Sequence, residues 1–125
     1  MYLEQSGSLR GDVVAWLLER SRAVDLAPGP GGSRMTPLPE VEVLGAGRYV
    51  LVALAPSSQL VAHRDPAIQG RRVHVPLRTN PGCWSYHGGV WQQLEVGHVY
   101  EMDPTVEHGA VNWGTETRLH LMVDA

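Results

Sequence analysis

A histidine and an aspartate stand two residues apart in the stretch VAHRDPAIQGRRVHVPLRTNPG, as His63 and Asp65. In a strand, residues i and i+2 project to the same face, so this pair can offer an imidazole nitrogen and a carboxylate oxygen to one point, while Arg64 turns away. A metal ion held there needs a third ligand from a distant strand, and HGAVNWG supplies His108. Two imidazoles and one carboxylate on one side of an ion, with the opposite positions open, form the facial triad of non-heme iron(II) oxygenases. HRD alone fits a solvated strand end equally well; the distant histidine in a chain of strands is what favours a metal.

The same alternation sorts the other polar residues. Arg72 and His74 share one face of RRVHVPL, and Arg118 and His120 share one face of TRLHLMV. An arginine inside a barrel is costly unless it meets an anion. The planar fork of Arg118, in an otherwise apolar strand, matches a carboxylate of a cosubstrate that also chelates the metal. His120 reads equally as a partner of the site or as a structural histidine. His87 and His98 flank glycine turns and are expected to be exposed. Trp84, Trp91 and Trp113 read as core packing or a substrate wall, and Cys83 as a small buried residue. Thr79 and Asn80 are expected to cap a turn at Pro81-Gly82.

These residues need elements to hold them. DVVAWLLERSR predicts a short helix over 11–22, capped by Asp12, with Val13, Trp16, Leu17 and Arg20 recurring at three and four. Residues 27–40 are dense in Pro and Gly and read as a loop. From 41 to 124 the period is two. VEVLGAGRYVLVAL reads as two strands around Gly45-Ala46-Gly47, and QLVAH, RRVHVPLRT, GCWSY, VWQQLE, HVYEMD, HGAVNW and TRLHLMV follow, with Gly88-Gly89 as a hairpin turn. Eight or nine short strands without intervening helices predict an all-β sandwich or barrel. At 125 residues, the chain is expected to form a single domain.

Composition narrows the function. A net charge of −3 and the absence of any basic tract argue against a nucleic-acid partner. All ten positive side chains are arginine, which removes lysine Schiff-base chemistry and leaves forks suited to carboxylates or phosphates. One cysteine allows no internal disulfide and fits a reducing cytoplasm. The longest apolar run, VVAWLL, is far too short to span a bilayer and no signal peptide precedes it, so a soluble cytoplasmic protein without a membrane partner is expected.

HRD at 63–65, RRVHVPLRTNPGC at 71–83, GHVYEMDPTVEHGAVN at 97–112 and RLHLMVD at 118–124 together resemble the aspartyl/asparaginyl β-hydroxylase family, and the C-terminal pattern is similar also to that of bacterial proline cis-hydroxylases. The resemblance implies an all-β double-stranded β-helix (jelly-roll, cupin-like) with a short N-terminal helix. It implies an iron(II)- and 2-oxoglutarate-dependent dioxygenase that uses molecular oxygen to hydroxylate an amino acid, free or within a peptide, at an aspartyl/asparaginyl-type β-carbon. His63, Asp65 and His108 would be the iron ligands and Arg118 the grip on the far carboxylate of 2-oxoglutarate. Arg72 and His74 would lie beside the cosubstrate and the substrate's carboxylate, with the division between them open. Some animal members lack the carboxylate ligand, whereas this chain has Asp65. Two other readings of the same residues are a cupin-like binding module without turnover and a metal-dependent isomerase or lyase.

Overall fold

The computed structural model describes residues 4–24, 26–27, 29, 31–65 and 71–124. Among these residues, ten strands and one helix follow one another as β1 (Glu4–Ser8), α1 (Gly11–Ser21), β2 (Ser33–Pro37), β3 (Arg48–Leu54), β4 (Ser58–His63), β5 (Arg72–Arg78), β6 (Cys83–His87), β7 (Val90–Gln92), β8 (His98–Met102), β9 (His108–Asn112) and β10 (Arg118–Asp124). They form a six-stranded sheet, β1-β8-β5-β10-β3-β2, and a four-stranded sheet, β4-β9-β6-β7. Every strand pairing within them is antiparallel.

Alternation in the central strands gives the large sheet two chemically different faces. Tyr49, Leu51 and Ala53 of β3, Val73, Val75 and Leu77 of β5, and Leu119, Leu121 and Val123 of β10 pack together with Val14 and Leu17 of α1 and with Leu38 and Val41. Fully burying each large aliphatic side chain here stabilises the fold by roughly 1.5–3 kcal/mol. The intervening positions include Arg72, His74, Arg118, His120 and a small apolar group, Val50, Val52 and Met122. The apolar core therefore lies largely between the sheet and the helix, which frees the other face for polar chemistry.

Asn112 of β9 ties the small sheet to the large one. Fully buried, its Nδ2 donates to the Leu54 carbonyl at the end of β3 and to the Glu116 carbonyl, at 3.0 and 2.8 Å. Its Oδ1 accepts from the Gly114 N–H at 3.0 Å. Asn80 accepts from the Gly82 N–H at 2.9 Å, closing the expected turn.

Several local expectations are corrected. The helix starts at Gly11 with Arg10 at the cap position and no side-chain cap bond, so Asp12 sits inside the first turn, where its charge suits the helix dipole. Its buried face is Val14, Leu17 and Ser21, and Trp16 is exposed beneath Arg20. Within the 27–40 stretch lies a strand, β2; residues 28 and 30 are outside the described residues. As the edge strand β2 tolerates Pro37, since only one side needs donors. VEVL is no strand, because the Tyr49 hydroxyl accepts from the Leu44 N–H and donates to the Gly45 carbonyl, folding that segment back on β3. Gly88 and Gly89 do make the two-residue hairpin turn, both at positive φ.

Candidate metal centre and anion pocket

His63 of β4 and His108 of β9 are register partners in the small sheet. Their ring centroids lie 4.4 Å apart. Asp65, two residues past His63, turns its Oδ2 to within 3.5 Å of His63 Nε2 and 3.3 Å of His108 Nε2. One ligand atom from each residue falls within 4.8 Å of the others, a grouping that could hold a metal ion.

The tautomers fit a metal. His63 Nδ1 lies 2.8 Å from the Val61 carbonyl and His108 Nδ1 2.8 Å from the Val106 carbonyl. A carbonyl only accepts, so both Nδ1 atoms carry a proton, which turns both Nε2 atoms toward the carboxylate as the positions a metal would take. Burial pushes the His108 imidazole below its usual range, which keeps it neutral and ligand-competent.

Beside this trio a pocket opens between the sheets, enclosing about 410 Å³ including its mouth. The large sheet contributes His74, Met102, Arg118 and His120; the small sheet contributes Leu60, His63, Ser85, His87 and His108. Arg118 is only 3% exposed, and its Nε has no hydrogen-bond partner. No carboxylate among the described residues pairs with it. Burial lowers its pKa to about 10, against a smaller opposing effect of Cys83, still well above neutrality, so the pocket contains a buried cation with no carboxylate among the described residues opposite it.

Around that cation His74 and His120 stay neutral. Burial, then the Arg118 and Arg72 charges, pull the His74 pKa down to about 3, and burial beside Arg118 lowers His120 likewise. Their Nδ1 atoms are 3.3 Å apart, so one ring donates to the other. His120 is thereby a partner of the site.

His63, Asp65 and His108 are thus brought together as expected from their pattern, and His74 and Arg118 line the adjoining pocket. Arg72 departs from expectation. It is not in the pocket wall: its Nε and Nη2 meet the two oxygens of Asp124 at 2.6 and 3.0 Å, and its Nη1 meets Asp65 Oδ2 at 3.0 Å. Burial would lower its pKa, but the two carboxylates outweigh burial and raise it.

His87 corrects the sequence reading. Expected to be exposed, it is 1% exposed and lines the pocket. It is the register partner of His108 on β6, and that position in the alternation points inward whatever the glycines beside it suggest. Its Nε2 donates to the Asp103 carbonyl at 3.2 Å, leaving Nδ1 buried without a partner. His98 is half-buried beside Glu95. Trp84, Trp91 and Trp113 are exposed, with Trp84, Trp91 and Val111 forming a shallow groove away from the metal trio, so they belong neither to the core nor to the pocket wall. Cys83 is buried, as expected.

The family model of aspartyl/asparaginyl beta-hydroxylase matches residues 36–125, a span holding every residue of the trio and the pocket. The chain belongs to that family. No curated protein matches it by sequence. Among solved structures it is similar to a cupin domain from Bordetella pertussis Tohama I, with 21% identity over 77% of this chain and 95% of that one, at a TM-score of 0.57. It is also similar to the protein TT1209 from Thermus thermophilus, with 21% identity over 83% and 90% of the two chains and a TM-score of 0.62. A salicylate 1,2-dioxygenase variant from Pseudoaminobacter salicylatoxidans, solved with gentisate, shares 13% identity at a TM-score of 0.57; 97% of this chain aligns with 35% of that larger one. At these identities the likeness establishes the fold, an all-β cupin barrel, and family membership places the chain among cupin-type hydroxylases. No helix among the described residues is long and apolar enough to cross a membrane.

Proposed function

We propose that this family member is an iron(II)- and 2-oxoglutarate-dependent dioxygenase acting on an amino acid, free or within a peptide, with His63, Asp65 and His108 as the iron ligands. The observation that carries this reading is Arg118, a buried guanidinium with no carboxylate partner among the described residues, in the pocket that adjoins the His-Asp-His trio. Iron(II) bound there would supply the oxidising chemistry that couples loss of carbon dioxide from 2-oxoglutarate to hydroxylation of a nearby carbon, with one oxygen atom of dioxygen going to succinate and the other to the product.

The chain's own part is placement. Arg118 holds the far carboxylate of the cosubstrate through charge-assisted hydrogen bonds in a water-poor cavity, where such bonds are strong. His74 and His120, kept neutral, add donors and acceptors without attracting a second anion to the wrong place. Leu60, Leu94 and Met102 give the pocket apolar walls that limit water near the reacting groups. His63, the more exposed ligand, marks the side from which the amino-acid substrate enters.

Oxygen-dependent formation of succinate from 2-oxoglutarate, measured after anaerobic loading with iron(II), tests the reading. Turnover that requires oxygen and disappears in Arg118→Gln and His108→Ala supports it. Metal-replete, folded protein that binds no 2-oxoglutarate would overturn it, as would turnover of a substrate in the absence of oxygen, which points instead to an isomerase or lyase.

A further inference from the structure

We propose that Asp124 is a positioning residue of the metal centre, holding Asp65 in its ligand orientation through Arg72. The inference rests on the assignment of His63, Asp65 and His108 as metal ligands and adds two residues to it.

Arg72 of β5 and Asp124 of β10 are register partners in the large sheet. The guanidinium is planar, so engaging its Nε–Nη2 edge with both Asp124 oxygens fixes where the remaining nitrogen points. That nitrogen, Nη1, meets Asp65 Oδ2, the same oxygen that faces both histidine Nε2 atoms. Asp65 lies beyond the end of β4 and its side chain is 34% exposed. Among the described residues, and apart from the histidines, its fixed contacts are this guanidinium and the hydrogen bond from its own N–H to the Pro104 carbonyl, 2.7 Å long. The backbone bond places the residue; Arg72 selects which way its carboxylate turns.

The arrangement also limits what the substrate can use. With both carboxylates on it, Arg72 is committed to the protein, which leaves Arg118 as the cation in the pocket wall for an organic acid. A ligand carboxylate reaching for Arg72 would have to share a guanidinium that already holds two carboxylates through three of its five N–H groups.

Metal titration separates this role from a merely structural ion pair. Metal-free protein is titrated with Mn(II), following the free-ion electron paramagnetic resonance signal, and with Co(II), following its visible ligand-field bands. Partners outside a metal's immediate ligands typically contribute 10–100-fold in affinity. Asp124→Asn is therefore expected to weaken Mn(II) binding about 10-fold or more and to alter the Co(II) bands, and Asp124→Glu to recover most of the affinity. Because Asp124→Asn leaves a buried guanidinium half-paired, the charge-balanced Arg72→Gln/Asp124→Asn double variant is measured beside it, with circular dichroism reporting the fold. Wild-type affinity and an unchanged Co(II) spectrum in the folded double variant would overturn the proposal. Failure of the wild-type protein to bind Mn(II) or Co(II) would instead overturn the metal assignment beneath it.

Discussion

His63 and His108 occupy one register position on neighbouring antiparallel strands, and each spends its Nδ1 proton on the carbonyl two residues before it. The paired geometry turns two independent side chains into a pre-oriented donor set. His87 continues the same row onto β6, yet its Nε2 is bonded to the Asp103 carbonyl and it is not part of the grouping around Asp65. Replacing the three histidines one at a time should therefore separate them. In Co(II) titrations followed by calorimetry, His63→Ala and His108→Ala are expected to lose at least about 100-fold in affinity, because each removes a directly bonded ligand, whereas His87→Ala is expected to stay within a few-fold of wild type. Equal losses in all three would place the ion deeper in the pocket than the trio.

Arg118 predicts opposite effects on stability and on ligand binding. Its guanidinium is buried with an unsatisfied Nε, and replacing such a group by an apolar one of similar length removes a desolvation penalty. Arg118→Met should raise the thermal midpoint of ligand-free protein, corresponding to about 1–3 kcal/mol. The same variant should lose 2-oxoglutarate binding by roughly 30-fold or more, since truncating one partner of a buried charged pair costs about 2–5 kcal/mol. A variant that loses stability instead would mean that the cation already has an anion within the protein.

The buried histidine pair makes stability depend on pH in a known direction. His74, lowered to about 3, and His120, lowered likewise, stay neutral in the folded protein at pH values where the unfolded chain takes up protons near 6.5. The unfolded state therefore binds more protons, and stability falls as pH drops below about 6.5, continuing toward the folded-state values. Two such groups approach a slope of about 2.7 kcal/mol per pH unit. Urea midpoints of metal-free protein at pH 7 and 5.5 measure it above most carboxylate titration. The His74→Gln/His120→Gln variant should flatten that slope, and an unchanged slope would show that the pair charges without unfolding.

Much of this site is legible in the chain because strand alternation is a strict rule. It places His63 with Asp65, His74 with Arg72, and His120 with Arg118 on common faces before any partner strand is known. What alternation leaves undetermined is how far a side chain on the right face travels along the sheet. Arg72 shares its face with His74 but sits toward the end of β5, where Asp124 on β10 reaches it first. The signal for that pairing is an arginine opening one strand and an aspartate closing another, visible in RRVHVPL and RLHLMVD only once antiparallel register is known. His87 is obscured by its neighbours, since flanking glycines mark a turn but do not decide which way the preceding residue points. β1, with sequence EQSGS, shows no apolar alternation and is held as an edge strand by pairing with β8.

Asn112 is the residue whose loss should be felt farthest from the chemistry. It is fully buried, and its amide reaches Leu54 on the other sheet, Glu116 and Gly114 in the turn before β10, so one side chain connects the two walls of the pocket and the approach to Arg118. Asn112→Ala takes their side-chain partner from the Leu54 carbonyl and the Gly114 N–H, while the Glu116 carbonyl keeps its bond from Asn80 Nδ2 at 3.0 Å, and each group left unpaired costs about 1–3 kcal/mol when it stays buried. The expected result is a destabilisation of about 3 kcal/mol or more by urea unfolding, together with weaker 2-oxoglutarate binding and unchanged Mn(II) affinity. That split follows from the anatomy: the metal ligands lie at the opposite end of the β4–β9 pair, with His63 beside His108 where Ser58 is beside Asn112. Loss of Mn(II) affinity in parallel with stability would show that the two ends of the sheet move as one unit.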